Sequence, residues 1–342
     1  MGFFLPYFSA MYMRILFLAT LLLTACTSGE QERVQYTYQG AAQGSSYSIS
    51  VVTPLGENHS AGIDSVLALM DAEMSLWVDT SALSRLNRGD SVLLSKDLRA
   101  VFESSLHYGY FTGGAFDITL APVIQAWGFS KGVVLDTAAI DSLMDFVGYA
   151  ALPGVSFATH YRLPKGVKVD MNAIAQGYTV DRLAAYFEQR GVQDYLVEVG
   201  GELRCSGFTI DKRPWRIGID KPVAQREEGV YQDIVVLDSM ALATSGNYRK
   251  FWIDEESGQK VVHTIDPNTG YPVVSSLLSA SVIAPTAMGA DALATALMVM
   301  GYPEAVQFIE KQSGVEAYLI IGDPFGGTKT VETSGWKNYR VD

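Results

Sequence analysis

Hydrophobic and polar residues recur along this chain with two periods, one typical of strands and one typical of helices. Alternation at Tyr47, Ile49 and Val51 predicts a strand. Helical spacing follows at five apolar positions: Ile63, Val66, Leu67, Met70 and Met74. A second helix is predicted to begin after Ser95 as its N-cap and to run toward Leu106.

The second half of the chain is rich in predicted strands, with single helices between them. The β-branched and aromatic runs lie at 195–199, 202–210, 215–220, 234–238, 261–264 and 278–284. A short strand over 167–170 is predicted to lead into a helix over 174–190, which stops at Gly191. This order favours an α+β architecture, strand-rich with inserted helices. Segment 130–164 has weaker periodicity and is the predicted seam between two subdomains.

The beginning of the chain predicts export and a lipid anchor. Arg14 precedes an apolar run over 15–23, which is too short to span a bilayer, and small residues then lead to Cys26, as in a secretory signal. The ending Leu-Thr-Ala-Cys resembles a bacterial lipobox, in which Cys26 becomes the acylated first residue. A plain secretion signal is the alternative. We therefore expect a signal peptide over 1–25, a tether over 26–32 and a folded domain over 33–342.

The composition is that of a globular protein with an acidic surface. Of 342 residues, 48% are apolar and 18% are charged, which allows one large core or two modest ones. The net charge of −12 argues against nucleic acid as a partner. With Cys26 acylated, Cys205 is the only other thiol, so the fold is expected to hold without an internal disulfide.

Two oxygen-bearing side chains interrupt a predicted apolar helix over 287–300. Asp291 and Thr295 are the only polar residues between Ala290 and Met300, and their spacing places them on one helical face. A buried carboxylate is costly unless a cation or hydrogen bonds compensate it. A carboxylate with a hydroxyl suits Mg²⁺. The alternative is that Asp291 caps a neighbouring backbone and Thr295 bonds its own helix.

A histidine lies just before a predicted turn. Segment 266–270, Asp-Pro-Asn-Thr-Gly, has strong turn chemistry because proline fixes φ and glycine accepts a positive φ. Histidine as a residue type titrates near neutrality, so His263, at the end of the preceding strand, could move a proton during phosphoryl transfer. The alternatives are an ordinary turn and a structural histidine.

Three further polar segments are candidates for holding phosphate or sugar groups. Glycine-rich turns are predicted at 199–202 and 244–248, although neither matches a P-loop or a dinucleotide fingerprint. Asp170 lies at the entry to the helix over 174–190, close to Asn172 and Gln176. Helix N-termini readily hold anions.

Eight short segments follow one another in a recognisable order. They are QGSSY at 43–47, EMSLW at 73–77, GAFD at 114–117, DMNAIAQG at 170–177, VGG at 199–201, TSG at 244–246, HTIDPNTGYP at 263–272 and DALATALMVMG at 291–301. Together they resemble the ApbE family of FAD:protein FMN transferases, over roughly residues 40 to 320.

The resemblance implies a Mg²⁺-dependent enzyme that takes FAD, joins FMN to a threonine of another protein as a phosphoester and releases AMP. It implies an ApbE-like fold with a flavin cleft. It places Mg²⁺ on Asp291, the Thr295 hydroxyl and the carbonyl of Ala173. It also places FAD against a larger set of residues: Gln43, Trp77, Ala115, Phe116, Asp117, Asp170, Gln176 and Ile265.

Two departures from the family pattern bear on the chemistry. Some relatives carry a second carboxylate where this chain has Ala294, so the metal has one fewer anionic ligand here. The family's flavin-attachment threonine motif has no good match, and 325–328, Phe-Gly-Gly-Thr, comes closest. The acceptor is therefore expected to be a separate protein.

Three functions remain open at this point. In the first, Mg²⁺ bridges the FAD pyrophosphate while the acceptor threonine attacks the FMN phosphorus, and either His263 or Asp266 takes the proton. In the second, water replaces threonine and the chain is an FAD pyrophosphatase. In the third, a lipid-anchored protein binds FAD without chemistry. The resemblance suggests acceptors among membrane-bound electron-transfer subunits, in the periplasm or outside the cell.

Overall fold

The computed structural model describes residues 32–129, 137–154, 160–222, 230–247, 251–253, 260–323 and 327–341. The predicted signal peptide over 1–25, the lipidation site Cys26 and all but the last residue of the tether lie outside the described residues. So do residues 325 and 326 and parts of the predicted seam. Within the described ranges, no helix has the length and apolar character needed to cross a membrane.

Most of the described chain is in strands and helices. The strands are β1 (Arg33–Ala42), β2 (Ser45–Pro54), β3 (Val92–Leu93), β4 (His160–Tyr161), β5 (Asp194–Val199), β6 (Glu202–Ser206), β7 (Trp215–Asp220), β8 (Tyr231–Leu237), β9 (Met240–Gly246), β10 (Phe251–Ile253), β11 (Lys260–Val262), β12 (Leu277–Ala284), β13 (Glu316–Gly322) and β14 (Thr328–Glu332). The α-helices are α1 (Ser60–Met74), α2 (Ala82–Asn87), α3 (Lys96–Phe111), α4 (Ala121–Ala126), α5 (Ile140–Met144), α6 (Ala175–Glu188), α7 (Ala287–Met300) and α8 (Glu304–Ile309). Short 3-10 helices lie at Ile118–Leu120, Thr137–Ala139, Tyr149–Ala151 and Trp336–Asn338.

An eight-stranded antiparallel sheet organises the molecule. Its strand order is β1-β2-β5-β6-β9-β12-β13-β14. Successive residues of a strand face opposite sides of a sheet. In β9, Ala241 and Ala243 accordingly pack on the helical side, whereas Leu242 packs on the other side. The α+β, strand-rich prediction is confirmed.

The two sides of the sheet are covered differently. Helices α6 and α7 cover one side, where Leu183 packs with Val197, and Leu297 packs with Val282. The β7–β8 hairpin and the last 3-10 helix cover the other side. Cys205 of β6 is fully buried there, with its thiol 3.3 Å from the carbonyl oxygen of Leu237.

A second helical layer lies outside α6 and α7. One buried cluster joins α1, α2 and α3 to the segments that precede α6, and it includes Phe102, Phe116, Met171, Ile174 and Ala292. Segments 114–117 and 170–174 therefore belong to the layer that packs on α6 and α7, and residue 175 begins α6 itself.

Several predicted elements are confirmed close to their predicted bounds. The predicted helix over 287–300 is α7, and the predicted helix over 174–190 is α6, which is slightly shorter. Ser95 is the N-cap of α3, and its side chain accepts a hydrogen bond from the Leu98 amide at 3.0 Å. The strand predicted from Tyr47, Ile49 and Val51 is β2.

The strand predicted over 167–170 is wrong. Its backbone is paired by a side chain instead of a neighbouring strand: the amide of Asn87 donates to the Val169 carbonyl and accepts from the Val169 N–H, both at 2.8 Å. The glycine-rich turn predicted at 244–248 is also wrong over 244–246, because these residues continue β9 and pair with β12. The predicted strand over 202–210 ends earlier, at Ser206.

Candidate active site

The site forms where α6 and α7 approach each other closely. Gly177 allows this approach, since a Cβ there would lie 2.3 Å from the carbonyl oxygen of Ala287 and 2.8 Å from the Cβ of Asp291. The Gly177 N–H donates to Oδ2 of Asp291 at 3.0 Å. Asp291 is buried, and burial raises the pKa of its carboxyl to about 7, while the Gly177 hydrogen bond acts in the opposite direction.

Hydrogen bonds at the N-terminus of α7 help to hold Asp291 in position. Asp181 of α6 accepts hydrogen bonds from the amides of Ala287 at 3.0 Å and Met288 at 2.9 Å. It also pairs with Arg204 at 3.1 Å. The first amides of a helix have no partner within the helix, and a carboxylate is favourable there. Asp181 therefore joins α6 to the start of α7, one turn before Asp291.

The Thr295 hydroxyl lies one helical turn beyond Asp291 and faces the sheet. Its Oγ1 is 3.3 Å from Oγ of Ser245 in β9. Two hydroxyls therefore lie next to the face of α7 that carries the carboxylate. The alternative considered from the sequence was that Asp291 caps a neighbouring backbone and Thr295 bonds its own helix. The first half of this alternative is observed, because Asp291 accepts a backbone hydrogen bond. The other half is not, because Thr295 contacts Ser245 and not its own helix.

The donor set around Asp291 suits a hard cation. One hydrogen bond leaves lone pairs on the carboxylate. Within the described ranges, no Lys or Arg charge contributes to the pKa of Asp291, and no cluster of three His, Cys, Asp or Glu residues occurs. A cation there would be completed by hydroxyl, carbonyl, water or phosphate oxygens, which is the ligand type that Mg²⁺ prefers.

The segment before α6 leads into the helix whose Gly177 contacts Asp291. Asp170 is buried, donates its N–H to the Ile118 carbonyl at 2.7 Å and accepts from the Asn172 N–H at 2.8 Å. Burial raises the pKa of Asp170. Ala173 is partly buried in the turn that leads into α6.

Gln176 of α6 reaches the β5–β6 turn. A Cβ on Gly200 would lie 2.4 Å from Nε2 of Gln176, and Gly200 has a φ of +70°. Glycine is therefore needed there for both its conformation and its small size. The predicted turn over 199–202 is confirmed, since Gly200 and Gly201 connect β5 to β6.

The segment over 115–117 is held in place by burial of its apolar side chains and by hydrogen bonds to Asp117. Ala115 and Phe116 are buried. Asp117 caps the following 3-10 helix by accepting from the Thr119 amide at 2.7 Å, and its other oxygen accepts from the Tyr149 amide at 2.7 Å. Burial raises the pKa of Asp117. In the described structure both carboxylate oxygens of Asp117 thus position the backbone.

Gln43 has a buried polar atom, whereas Trp77 has an exposed aromatic ring. Gln43 lies in the β1–β2 turn, has a φ of +51° and donates to Oγ1 of Thr179 at 2.7 Å. Its Oε1 is buried and accepts no hydrogen bond from any described residue, so it is available to a donor on a ligand. The indole of Trp77 is 64% exposed just beyond α1.

The segment over 263–270 forms a tight turn after β11. Oδ1 of Asp266 accepts from the N–H of Asn268 at 2.9 Å and from its side-chain amide at 3.1 Å. Ile265 is buried, and the Trp127 indole donates to the Gly270 carbonyl at 2.8 Å. His263 is partly buried, with its ring centroid 6.4 Å from that of Phe129.

The end of β9 connects this turn to the carboxylate site. Ser245 contacts Thr295, and two residues further on Asn247 accepts from the Thr264 hydroxyl at 2.7 Å. The structure therefore brings α6, α7, β9 and the turn at 263–270 together through direct contacts. It places Asp117 and Asp170 together through the bond between Asp170 and Ile118.

Sequence reasoning missed Asp181, Gly177 and Ser245 as site residues. Ser245 lay in a segment that had been singled out, but that segment was interpreted as a turn. Asp181 follows Gly177 by four residues and so shares its helical face, which is a signal that the spacing alone could have given.

A separate cavity of about 690 Å³ lies at the other end of β5. Arg33, Asp194 and Lys212 are among its lining residues. Arg33 and Asp194 pair with each other at 3.0 Å. None of the predicted site residues lines this cavity, so its size does not make it the candidate active site.

Comparison with known proteins gives a consistent result. Residues 43–319 match the model of the ApbE family. The chain is 33% identical to the FAD:protein FMN transferase of Haemophilus influenzae over 318 residues, which covers 88% of this chain and 90% of that protein. It is 34% identical to the FAD:protein FMN transferase of Escherichia coli K12 over 283 residues, 79% of this chain and 78% of that protein.

Solved structures agree with the sequence comparisons. The flavin transferase ApbE from Vibrio cholerae superposes with a TM-score of 0.77 at 30% identity, covering 90% of this chain and 100% of that one. The apo form of the Pseudomonas stutzeri flavinyl transferase ApbE gives a TM-score of 0.79 at 29% identity, covering 90% and 97%.

Proposed function

The chain belongs to the ApbE family and is an FAD:protein FMN transferase, and we propose that it is Mg²⁺-dependent and transfers FMN to a threonine hydroxyl. The observation that carries this proposal is the buried Asp291 carboxylate, which no cationic side chain compensates among the described residues and which lies beside the Thr295 and Ser245 hydroxyls. These carboxylate and hydroxyl oxygens are the type of ligand that Mg²⁺ prefers.

Asp291, Thr295 and the carbonyl of Ala173 are the groups that would hold the metal. When bound, Mg²⁺ would offset negative charge on the pyrophosphate and on the departing phosphate. The residues of the chain keep that arrangement in place: Gly177 orients the Asp291 carboxylate, and Ser245 supports the Thr295 hydroxyl. With Ala294 beside them, the site contains a single anionic ligand, and phosphate oxygens would complete it.

The proposed reaction is an in-line displacement at the FMN phosphorus. A bond forms between the threonine Oγ and this phosphorus, and the bond from the phosphorus to the bridging oxygen breaks, so that AMP leaves with that oxygen. The hydroxyl proton passes to a base. We assign this role to His263, since the Asp266 carboxylate is held by Asn268 within the turn.

The FAD is proposed to lie along the segments that meet at the site. Buried Oε1 of Gln43 offers an acceptor. Ala115, Phe116 and Ile265 are buried apolar residues, and we propose that they line the flavin pocket. Asp170 and Gln176 lie at the start of α6, where a helix N-terminus favours anionic groups. Trp77 exposes an indole that could stack on a ring of the nucleotide. Asp117 would act by positioning the backbone around it.

We further propose that the protein is exported and anchored through Cys26 in a bacterial membrane, and that it modifies subunits of membrane electron-transfer complexes. The basic residue, apolar run and small residues before Cys26 support this placement. An acceptor domain exposed outside the cytoplasmic membrane requires a modifying enzyme on the same side.

Mass spectrometry tests the proposal. The full-length chain is incubated with FAD, Mg²⁺ and an acceptor probe, which we define as a purified soluble domain of an electron-transfer subunit that carries an attachment threonine. We expect one FMN adduct per probe with an equal amount of AMP, and no adduct when the probe's threonine is replaced by alanine. AMP with free FMN and no adduct would indicate a pyrophosphatase, and unchanged FAD would indicate a carrier.

The base assignment has its own test. We expect His263→Ala to lower the rate of transfer at least about a hundredfold, while Asp266→Asn, which can keep the turn, lowers it much less. The opposite ranking of these two variants would assign the base to Asp266.

A further inference from the structure

A run of four apolar residues, all at least partly exposed, lies beside the turn that carries His263 and Asp266. Residues Tyr271, Pro272, Val273 and Val274, which we call the apolar lip, follow the turn at 263–270 without a break. Val274 is fully exposed, with a relative exposure of 103%, and Tyr271 is 45% exposed, while Pro272 and Val273 between them are partly buried. Single exposed apolar residues are common, whereas neighbouring apolar residues that all remain at least partly exposed often mark an interaction site.

The lip is hydrogen-bonded to the segment that carries His263 and Asp266. The Asp266 N–H donates to the Tyr271 carbonyl at 2.9 Å, and the Val273 N–H donates to the Thr264 carbonyl at 3.0 Å. Anything that covers Val274 therefore lies within a few residues, along a paired backbone, of the group that we assign as base.

The lip is also held in one conformation. The ring of Tyr271 packs edge-on against Trp127, with centroids 5.7 Å apart, and the same indole donates to the Gly270 carbonyl. Beyond the lip, Oγ of Ser275 accepts from the Leu277 N–H at 3.0 Å. A surface that is already ordered loses little conformational entropy when a partner binds, so more of the contact energy appears as affinity.

We propose that the apolar lip is where the acceptor protein docks, through an apolar patch beside its threonine. This inference rests on the proposed function. The transferred group goes to a hydroxyl on a protein, so the acceptor must contact the rim of the site when its oxygen reaches the phosphorus. The lip is a fixed apolar part of the structure next to the proposed base, and it is exposed as a protein partner requires.

The test compares three variants of the full-length chain. Val274→Asp places a charge in the docking surface, Val274→Ile keeps it apolar, and Leu55→Asp places the same charge on another exposed apolar residue, which is 61% exposed at the far end of β2 from Gln43. Steady-state transfer to the acceptor probe gives KM and kcat, and calorimetry gives the dissociation constant for FAD in the presence of Mg²⁺.

We expect Val274→Asp to raise KM for the acceptor probe about tenfold or more, as for a charge placed in an apolar contact. FAD affinity should stay unchanged, and Val274→Ile and Leu55→Asp should behave like wild type. Unchanged KM in Val274→Asp would overturn the inference. Weaker FAD binding in that variant would assign the lip to the flavin pocket and also overturn it.

Two further outcomes distinguish acceptor docking at the lip from dimer formation and from failure of the proposed function. If wild type forms a dimer that Val274→Asp dissociates while KM stays constant, the lip binds a second copy of the chain and the inference fails. If wild type forms no FMN adduct on any probe threonine, the proposed function fails first. Transfer by wild type with no effect at Val274 leaves the proposed function standing and removes only the docking surface.

Discussion

Replacing Asp291 by asparagine should stabilise the metal-free protein while abolishing its response to Mg²⁺. Burial raises the pKa of the Asp291 carboxyl to about 7, so the folded state favours the protonated form. When folding raises the pKa of a carboxyl, the folded protein loses stability as the pH rises from the ordinary pKa of that group, near 4, to its pKa in the folded state. Asparagine has no charge to bury and keeps an oxygen for the Gly177 N–H.

The magnitude follows from the difference between the two pKa values. In EDTA at pH 8, the charged carboxylate lowers the free energy of unfolding of wild type by about 4 kcal/mol relative to a neutral side chain, which is an upper value because water entering the site would reduce it. At pH 5 the same difference falls to about 1–2 kcal/mol. We therefore expect Asp291→Asn to exceed wild type in stability, and by more at pH 8 than at pH 5.

Urea unfolding followed by circular dichroism, at both pH values and with EDTA or excess Mg²⁺, measures these differences. Mg²⁺ binds the folded state of wild type and should raise its unfolding midpoint, whereas Asp291→Asn should not respond and should lose transfer activity. Asp64→Asn removes the same charge from an exposed position on α1 and controls for net charge.

The reasoning would be refuted by a variant that is no more stable than wild type in EDTA at pH 8. A midpoint of Asp291→Asn that still rises with Mg²⁺ at constant ionic strength would refute the metal assignment separately. The first result would concern the free-energy cost of burying the Asp291 charge. The second would concern whether Mg²⁺ binding offsets that cost.

Three more predictions concern the supports of this carboxylate. Gly177→Ala should lower the free energy of unfolding by about 1–3 kcal/mol in urea, because its Cβ would meet the Ala287 carbonyl, whereas Gly154→Ala, with no atom within 4 Å, should be neutral. Asp181→Ala should cost about 1–2 kcal/mol through the lost helix cap and should weaken Mg²⁺ binding measured by calorimetry. Thr295→Ala should weaken Mg²⁺ binding at pH 8, and Thr295→Ser, which keeps the hydroxyl, should restore it; equal binding by the two variants would exclude the hydroxyl as a ligand.

The sequence predicted those parts of the fold that depend on local patterns. The apolar run over 287–300 and the cap at Ser95 needed only residue spacing and hydrogen-bonding chemistry, and both are confirmed. Segment 244–246, Thr-Ser-Gly, is small and polar, which is typical of a turn. It is nevertheless part of β9, because pairing with β12 decides its conformation.

Long-range contacts explain the remaining errors. Val169 was expected in a strand, but the side chain that satisfies its backbone belongs to Asn87, 82 residues earlier. Likewise, the spacing of Asp291 and Thr295 was evident, whereas the need for glycine at 177 depends on how closely α6 approaches α7. A single sequence contains no information on that approach until the fold is known.

The buried thiol of Cys205 makes this protein well suited to site-specific labelling. Burial raises the pKa of Cys205 to about 12, so at pH 8 only about one molecule in ten thousand carries the thiolate that reacts with maleimides. In a chain whose Cys26 is acylated or replaced, a cysteine introduced at an exposed site such as 274 would therefore be modified selectively. A fluorophore at that position could report the approach of an acceptor without removal of the native cysteine from the core.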